Sequence, residues 1–293
     1  MLNRRHLLAA APALAAGSLT GLPLMAGAAA KPRVISVGGA LTELIYAMGA
    51  QGDLVGVDTS SLYPVAATRL PNVGYARTLA AEGLLSLSPT MILATEEAGP
   101  PAVLAQLQSA RIPLHVLRAD HRFEGVLDRT RQLGDLLDKA RQAQALIDTL
   151  QKSWAQTQQT VARTAAGHRP PRVLFILSNA GNQARISGSG TAADAMISYA
   201  GAINALGDVQ GYKLLSPEAA IAAAPDVILA TTQGLESTGG IDGLLRMPGL
   251  AQTPAGQRKR VVAMETMEML GFGPRLPQAL ATLATALHNG AAG

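Results

Sequence analysis

The chain contains no cysteine in 293 residues. That excludes disulfides, thiolate metal sites, cysteine nucleophiles and a bacterial lipid-anchored N-terminal cysteine. Aromatics are scarce: one Trp, three Phe and five Tyr make up 3% of the sequence, too few for base-stacking platforms. Charge is low, with a formal net of +4 and Lys and Arg scattered along the chain. No basic stripe is available to track phosphates, so nucleic acid is not expected as a partner. Beyond residue 30 no apolar run is long enough to cross a bilayer. His115, His121, His168 and His288 show no close metal-site spacing, which argues against a zinc or manganese carrier. A Gly-x-Ser-x-Gly elbow is missing, and the Gly181–Gly190 stretch lacks the lysine-plus-hydroxyl ending of a phosphate loop. Neither a hydrolase nor a nucleotide binder is favoured.

What is present begins with an export signal over residues 1–30. Arg4 and Arg5 form a charged start, Leu7 to Leu24 an Ala/Leu-rich apolar stretch, and Met25 to Ala30 a small-residue cleavage zone. Pro12, Gly17, Gly21 and Pro23 interrupt the stretch and disfavour the alternative, a membrane anchor. Asn3-Arg4-Arg5-His6 hints at twin-arginine export. Cleavage leaves about 263 residues near +2, enough for two lobes of ordinary domain size. An exported, unanchored, cysteine-free chain fits a Gram-negative periplasm.

Two segments then read almost as one. Glu82 opens a short amphipathic helix, Pro89 follows seven residues later, and an apolar strand ends at Thr95. Glu218, Pro225 and Thr231 repeat that pattern 136 residues further on. This spacing is too long for a solenoid and marks two similar lobes, with a cleft between them as the natural ligand site. A second echo is the Gly-Ala ending of two apolar helices, at Gly49-Ala50 and Gly201-Ala202.

Continuous apolar runs predict strands buried on both faces, hence parallel sheets flanked by helices. They fall at Arg33–Val37, Leu54–Val57, Met91–Ala94 and Leu114–Leu117, then at Arg172–Leu177, Asp226–Ala230 and Arg260–Ala263, with a weaker candidate near Ile203. Between the halves Val126, Leu133, Leu137, Ala143, Ile147, Leu150, Trp154 and Val161 recur at helical steps. Gly134 is expected to break this stretch, and Asp138 to cap a helix running from about Lys139 to Arg163. The expected architecture is α/β: two Rossmann-like lobes with parallel sheets joined by one long helix. The first lobe covers residues 31–137, the linking helix 138–166 and the second lobe 167–293.

Several stretches carry a family likeness: Val57-Asp58-Thr59-Ser60, Tyr63-Pro64, Leu70 to Arg77, Ala94 to Pro101, Thr191 to Met196, and Leu270-Gly271-Phe272-Gly273. On them the chain resembles the helix-linked class of periplasmic substrate-binding proteins of ABC importers, and within it the heme (hemin) binding proteins. The resemblance implies ferric heme as transported ligand, a dimeric ABC permease as partner and an outer-membrane heme receptor upstream. It implies no catalysis.

Tyr75 is the expected axial iron ligand, because a phenolate is a hard anionic donor suited to ferric iron. Arg77, two residues on, is placed to stabilise that phenolate; the alternative is a surface tyrosine beside an unrelated arginine. Some relatives supply a histidine in the loop after the first strand of the second lobe. Asn179 stands there instead, so the expectation is five-coordinate iron or a water as sixth ligand. Arg69, Arg185, Lys213 and Arg246 are candidates for the heme propionates, and the Gly181–Gly190 stretch for a cleft wall. Tyr63 and Tyr212 are read as loop residues able to line the cleft, Tyr46 and Tyr199 as core. His115 is expected in the core, and His121, His168 and His288 at the surface. Glu82 and Glu218 are expected to dock onto permease arginines, one per lobe, as suits a two-fold symmetric partner; helix-dipole acids are the alternative. A siderophore or cobalamin carrier is the rival within the class, and an exported hydrolase the rival outside it.

Overall fold

The computed structural model describes residues 31–118, 120–180 and 183–288, without the side chains of 178–180. The export-signal expectation lies outside the described residues. The first lobe runs β1 (Val34–Val37), α1 (Gly39–Ala47), β2 (Leu54–Val57), α2 (Ala81–Ser86), β3 (Met91–Thr95), α3 (Pro101–Ser109), β4 (Leu114–Leu117) and α4 (Phe123–Leu136). α5 (Ala140–Ala165) follows. The second lobe runs β5 (Arg172–Ala180), β6 (Gln183–Ser187), α6 (Ala192–Tyr199), β7 (Ile203–Asn204), β8 (Tyr212–Leu214), α7 (Pro217–Ala223) and β9 (Val227–Thr231). It ends with α8 (Thr232–Ser237), α9 (Ile241–Leu245), α10 (Pro254–Gln257), β10 (Val261–Met264), α11 (Thr266–Leu270) and α12 (Leu276–His288).

The first sheet is wholly parallel in the order β2-β1-β3-β4. β1 is buried throughout and feeds both faces: Val34 packs with Leu41 and Leu44 on one side, Ile35 and Val37 with Leu84 and Leu107 on the other. The second sheet, β10-β9-β5-β6-β8, departs from the all-parallel expectation. β9, β10 and β7 lie parallel, but β5-β6 and β6-β8 pair antiparallel. Residues 183–187 of the expected Gly181–Gly190 loop are therefore strand, and Tyr212 lies on β8 instead of in a loop.

The linker also differs in detail. α4 runs through Gly134 and stops at Leu136; a Cβ at Gly134 would sit 2.4 Å from the Ala143 side chain. Close helix–helix approach, not helix breaking, explains that glycine. Asp138 does not cap α5: it takes φ +55° in the turn, and Lys139 is the cap position, without a side-chain cap bond. α5 is about 39 Å long at 1.5 Å per residue over its 26 residues. Its buried stripe is Ala143, Ile147, Leu150, Trp154 and Thr157. Trp154 stacks on Phe123 of α4 at 4.5 Å and meets Tyr199 of α6 edge-on at 5.1 Å. Tyr46 and Tyr199 are both half-buried against the main core. One continuous apolar cluster includes Val34 and Leu93 of the first sheet and Val173 and Leu229 of the second. The lobes share a core through the linker.

The repeated Gly-Ala endings have a local cause. Gly49 (φ +71°) and Gly201 (φ +72°) are left-handed. In each case the following alanine donates back five residues, Ala50 to Ile45 and Ala202 to Ile197, the Schellman arrangement that closes a helix. The Glu82 and Glu218 segments match equally well: Ser88 (φ +45°) and Ala224 (φ +40°) end their helices left-handed, each just before proline.

Candidate functional site

In the first lobe, the carboxyl ends of adjacent parallel strands converge, where α/β sheets characteristically bind ligands. Gly38 follows β1, Asp58 follows β2, and Thr95, Glu96 and Glu97 close β3; all line one cleft of about 450 Å³. That size falls within the roughly 300–1,000 Å³ of small-ligand pockets. The second lobe contributes Leu177, Arg185, Ala192 and Tyr212, and the segment from Thr266 to Gly271 completes the lining.

Asp58 is buried and holds the α1 entry in place. Its carboxylate accepts from the Gly38 amide (2.9 Å), the Ser60 hydroxyl (2.7 Å) and the Ser61 hydroxyl (2.8 Å). Tyr75 sits in a segment pinned alongside β2: Val73 donates to the Val57 carbonyl and Thr59 to that of Gly74. Ala76 is buried and its carbonyl accepts from Gly99. Anchoring Ala76 leaves the residues on either side, Tyr75 and Arg77, facing the cleft. Tyr75 is 48% exposed, so it does not pack inside a lobe, and it lines the cleft. Arg77 is engaged: its Nη2 donates to Glu97 Oε1 at 2.5 Å.

On the opposite wall, Arg185 and Tyr212 occupy the same face of the antiparallel ribbon, since Arg185 pairs with Leu214 and Ser187 with Tyr212. Burial raises the Tyr212 phenol above its ordinary value, and the Glu97 carboxylate adds to this, while Arg77 and Arg185 oppose it. Tyr212 is a neutral hydrogen-bond donor.

The other basic candidates are not in the lining. Lys213 pairs with Ile186 on the other face of the ribbon, and Arg69 and Arg246 are exposed elsewhere. Asn179 lies on β5 opposite Ala184, but its side chain is outside what the structure describes. Tyr63 does not line the cleft; its ring lies 4.2 Å from the Arg275 guanidinium. The histidine expectations need three corrections. His115 is half-buried on the edge strand β4 and not in the core. His121 lines the cleft, tilted against Phe272 at 5.5 Å. His288 is buried, its Nε2 3.0 Å from the Ala200 carbonyl. His168 is exposed.

Sequence reasoning missed Arg129. It lies on α4, 2% exposed, lines the cleft and donates to the Phe272 carbonyl across the lobe boundary. Burial lowers its guanidinium below the ordinary value, opposed by Glu96 and Asp120. The signal was available, because Arg129 falls on the apolar stripe with Val126, Thr130 and Leu133. Also missed was a lobe-to-lobe cluster in which Arg275 bonds Glu43 of α1 (2.6 and 2.9 Å), Glu268 (2.8 Å) and Glu265 (3.4 Å). Burial raises the Glu43 carboxyl, partly offset by Arg275. Glu82 and Glu218 are exposed in the first turns of α2 and α7 and form no ion pair among the described residues.

The profile of the periplasmic binding protein family matches residues 34–266. The chain belongs to that family. Among solved structures, a periplasmic heme-binding protein, BhuT, in complex with two hemes is 45% identical at TM-score 0.85, covering 89% of this chain and 99% of that one. A periplasmic heme-binding protein from Pseudomonas aeruginosa is 37% identical at TM-score 0.82, covering 88% and 93%. Among curated relatives, the vitamin B12-binding protein of Pectobacterium atrosepticum is 33% identical over 159 residues, 54% of this chain and 57% of that protein. This chain thus matches little more than half the length of that relative. At that TM-score the BhuT structure shares the two-lobe architecture described above. No helix among the described residues is long and apolar enough to cross a membrane.

Proposed function

We propose that the chain is a periplasmic heme carrier that takes ferric heme between its lobes through the Tyr75 phenolate and hands it unchanged to an ABC permease. The observation carrying this reading is the position of Tyr75: a half-exposed phenol on the cleft lining, on a backbone fixed against β2, with Arg77 beside it. A phenolate is an established axial ligand of heme iron. The heme-binding solved structures support the choice of ligand. Leu177, Met267 and Leu270 supply apolar surface for a porphyrin face. No catalytic step is assigned to the site, and iron coordination by one protein ligand follows from Asn179 standing where some relatives place histidine.

Glu82 and Glu218 are assigned to docking, one carboxylate per lobe against one subunit each of a symmetric permease. Their support is the matched exposure and matched local fold of α2 and α7. Exposed charge pairs fix orientation and release readily, as a carrier requires. An outer-membrane heme receptor upstream completes the route.

A second reading, a cobalamin carrier, is favoured by the vitamin B12-binding relative. Titrating the purified protein with hemin and with cobalamin separates the two. The heme reading expects saturable spectral change with hemin only; cobalamin binding without hemin binding would replace it.

A further inference from the structure

We propose that Glu97 is a built-in occupant of a carboxylate subsite formed by Arg77, Arg185 and Tyr212 across the two lobes, and that a ligand carboxylate displaces it. The proposal rests on the heme reading, because heme brings two propionates. All four residues line the same cleft, Arg77 and Glu97 from the first lobe and Arg185 and Tyr212 from the second. Arg77 is not waiting open. Its guanidinium already holds one carboxylate, at 2.5 Å, and that carboxylate belongs to the protein itself. Both partners keep more than half of their side-chain surface exposed, 57% and 55%. Exposed pairs of this kind are weak and open easily, unlike the buried Arg275–Glu43 contact, where the side chains are 17% and 4% exposed.

The facing wall suits the same group. Arg185 and Tyr212 are diagonal neighbours on one face of the β6-β8 ribbon. The Tyr212 phenol is kept protonated by burial and by Glu97, so it donates to a carboxylate and does not compete as an anion. Two guanidiniums, one phenol donor and one internal carboxylate leave a single positive excess. When Glu97 swings away, Arg77 is free for the incoming carboxylate and for the adjacent Tyr75 phenolate. Glu97 thereby keeps Arg77 from holding a stray anion.

The test compares hemin with its dimethyl ester, which keeps the iron and ring but has no carboxylate, in spectroscopic titrations of wild-type protein, Glu97→Gln and Asp128→Asn. Asp128 pairs with Arg131 on the exposed side of α4, outside the cleft lining, and controls for loss of one negative charge. The expected result is roughly 2- to 5-fold tighter hemin binding by Glu97→Gln, no gain for the diester, and no gain in Asp128→Asn. Unchanged or weaker hemin binding by Glu97→Gln overturns the subsite and leaves the heme reading standing. So does an equal gain for the diester, or the same gain in Asp128→Asn. Failure of the wild-type protein to bind hemin at all overturns both.

Discussion

The two lobes agree where each ends in a short acidic helix and differ where they face each other. α2 and α7 share an exposed glutamate in the first turn, a left-handed closing residue and a following proline, down to φ values of +45° and +40°. The cleft walls share nothing of the kind. The first lobe presents the ends of parallel strands, with Tyr75, Arg77 and Glu97 on the loops beyond them; the second presents an antiparallel ribbon with Arg185 and Tyr212. A symmetric partner would preserve the first feature in both lobes, whereas an asymmetric ligand would let the walls diverge.

The largest effect is expected where the lobes are fused and no longer comparable as independent units. Trp154→Ala removes the ring between Phe123 and Tyr199 and should cost about 3–5 kcal/mol. Both lobes should lose stability in one transition, followed by calorimetry; two separate transitions would show that the lobes fold independently. Next comes the Arg275 cluster. Arg275→Met leaves Glu43 buried without its cation and should cost about 3 kcal/mol. Glu43 has a sign of its own. Its folded-state pKa is raised by burial, so the unfolded chain gives up this proton first. The stability contributed by this group is therefore full below the ordinary carboxylate value of about 4.3 and declines as pH rises through the raised value. Glu43→Gln should flatten that part of the denaturation profile; an unchanged slope would assign it to other groups.

A third measurement addresses the symmetric feature directly. In a reconstituted permease, Glu82→Ala and Glu218→Ala should each reduce ligand-stimulated ATPase activity by about tenfold, and the double variant further. One silent glutamate would break the symmetry claim. The smallest effect sharpens the asymmetric feature: Arg185→Ala should weaken hemin binding by about threefold, while Lys213→Ala, on the other face of the same ribbon, should leave it unchanged.

Much of this was readable from residue order alone. Val34 to Val37 and Val227 to Thr231 are almost wholly apolar because both faces of their strands are covered, and such runs announce themselves. The two-lobe repeat and the long linker were equally plain, and Tyr75 with Arg77 stood out through the family likeness. β6 and β8 did not. Gln183 to Ser187 carries much of the two-residue alternation of a half-buried strand, but it is only five residues long with Gly181 and Gly188 close by, and those glycines gave the loop reading. Gly134 looked like a breaker because proximity of Ala143 is a tertiary fact. His288 is buried because α12 carries it to the Ala200 carbonyl, 88 residues away in sequence, and Lys213 looked available because facing direction depends on the register with Ile186. Glu43 was hidden because its partner lies 232 residues away, whereas Arg129 was overlooked although its place on the apolar stripe of α4 pointed inward.

The most direct test is the visible spectrum of the hemin complex in wild-type protein and in Tyr75→Phe, a change that removes one oxygen and leaves the ring. Phenolate ligation predicts a high-spin ferric spectrum with a phenolate-to-iron charge-transfer band in the wild type. In Tyr75→Phe that band should vanish and affinity should fall by about a hundredfold. A Tyr75→Phe complex with the wild-type spectrum and affinity would contradict the account.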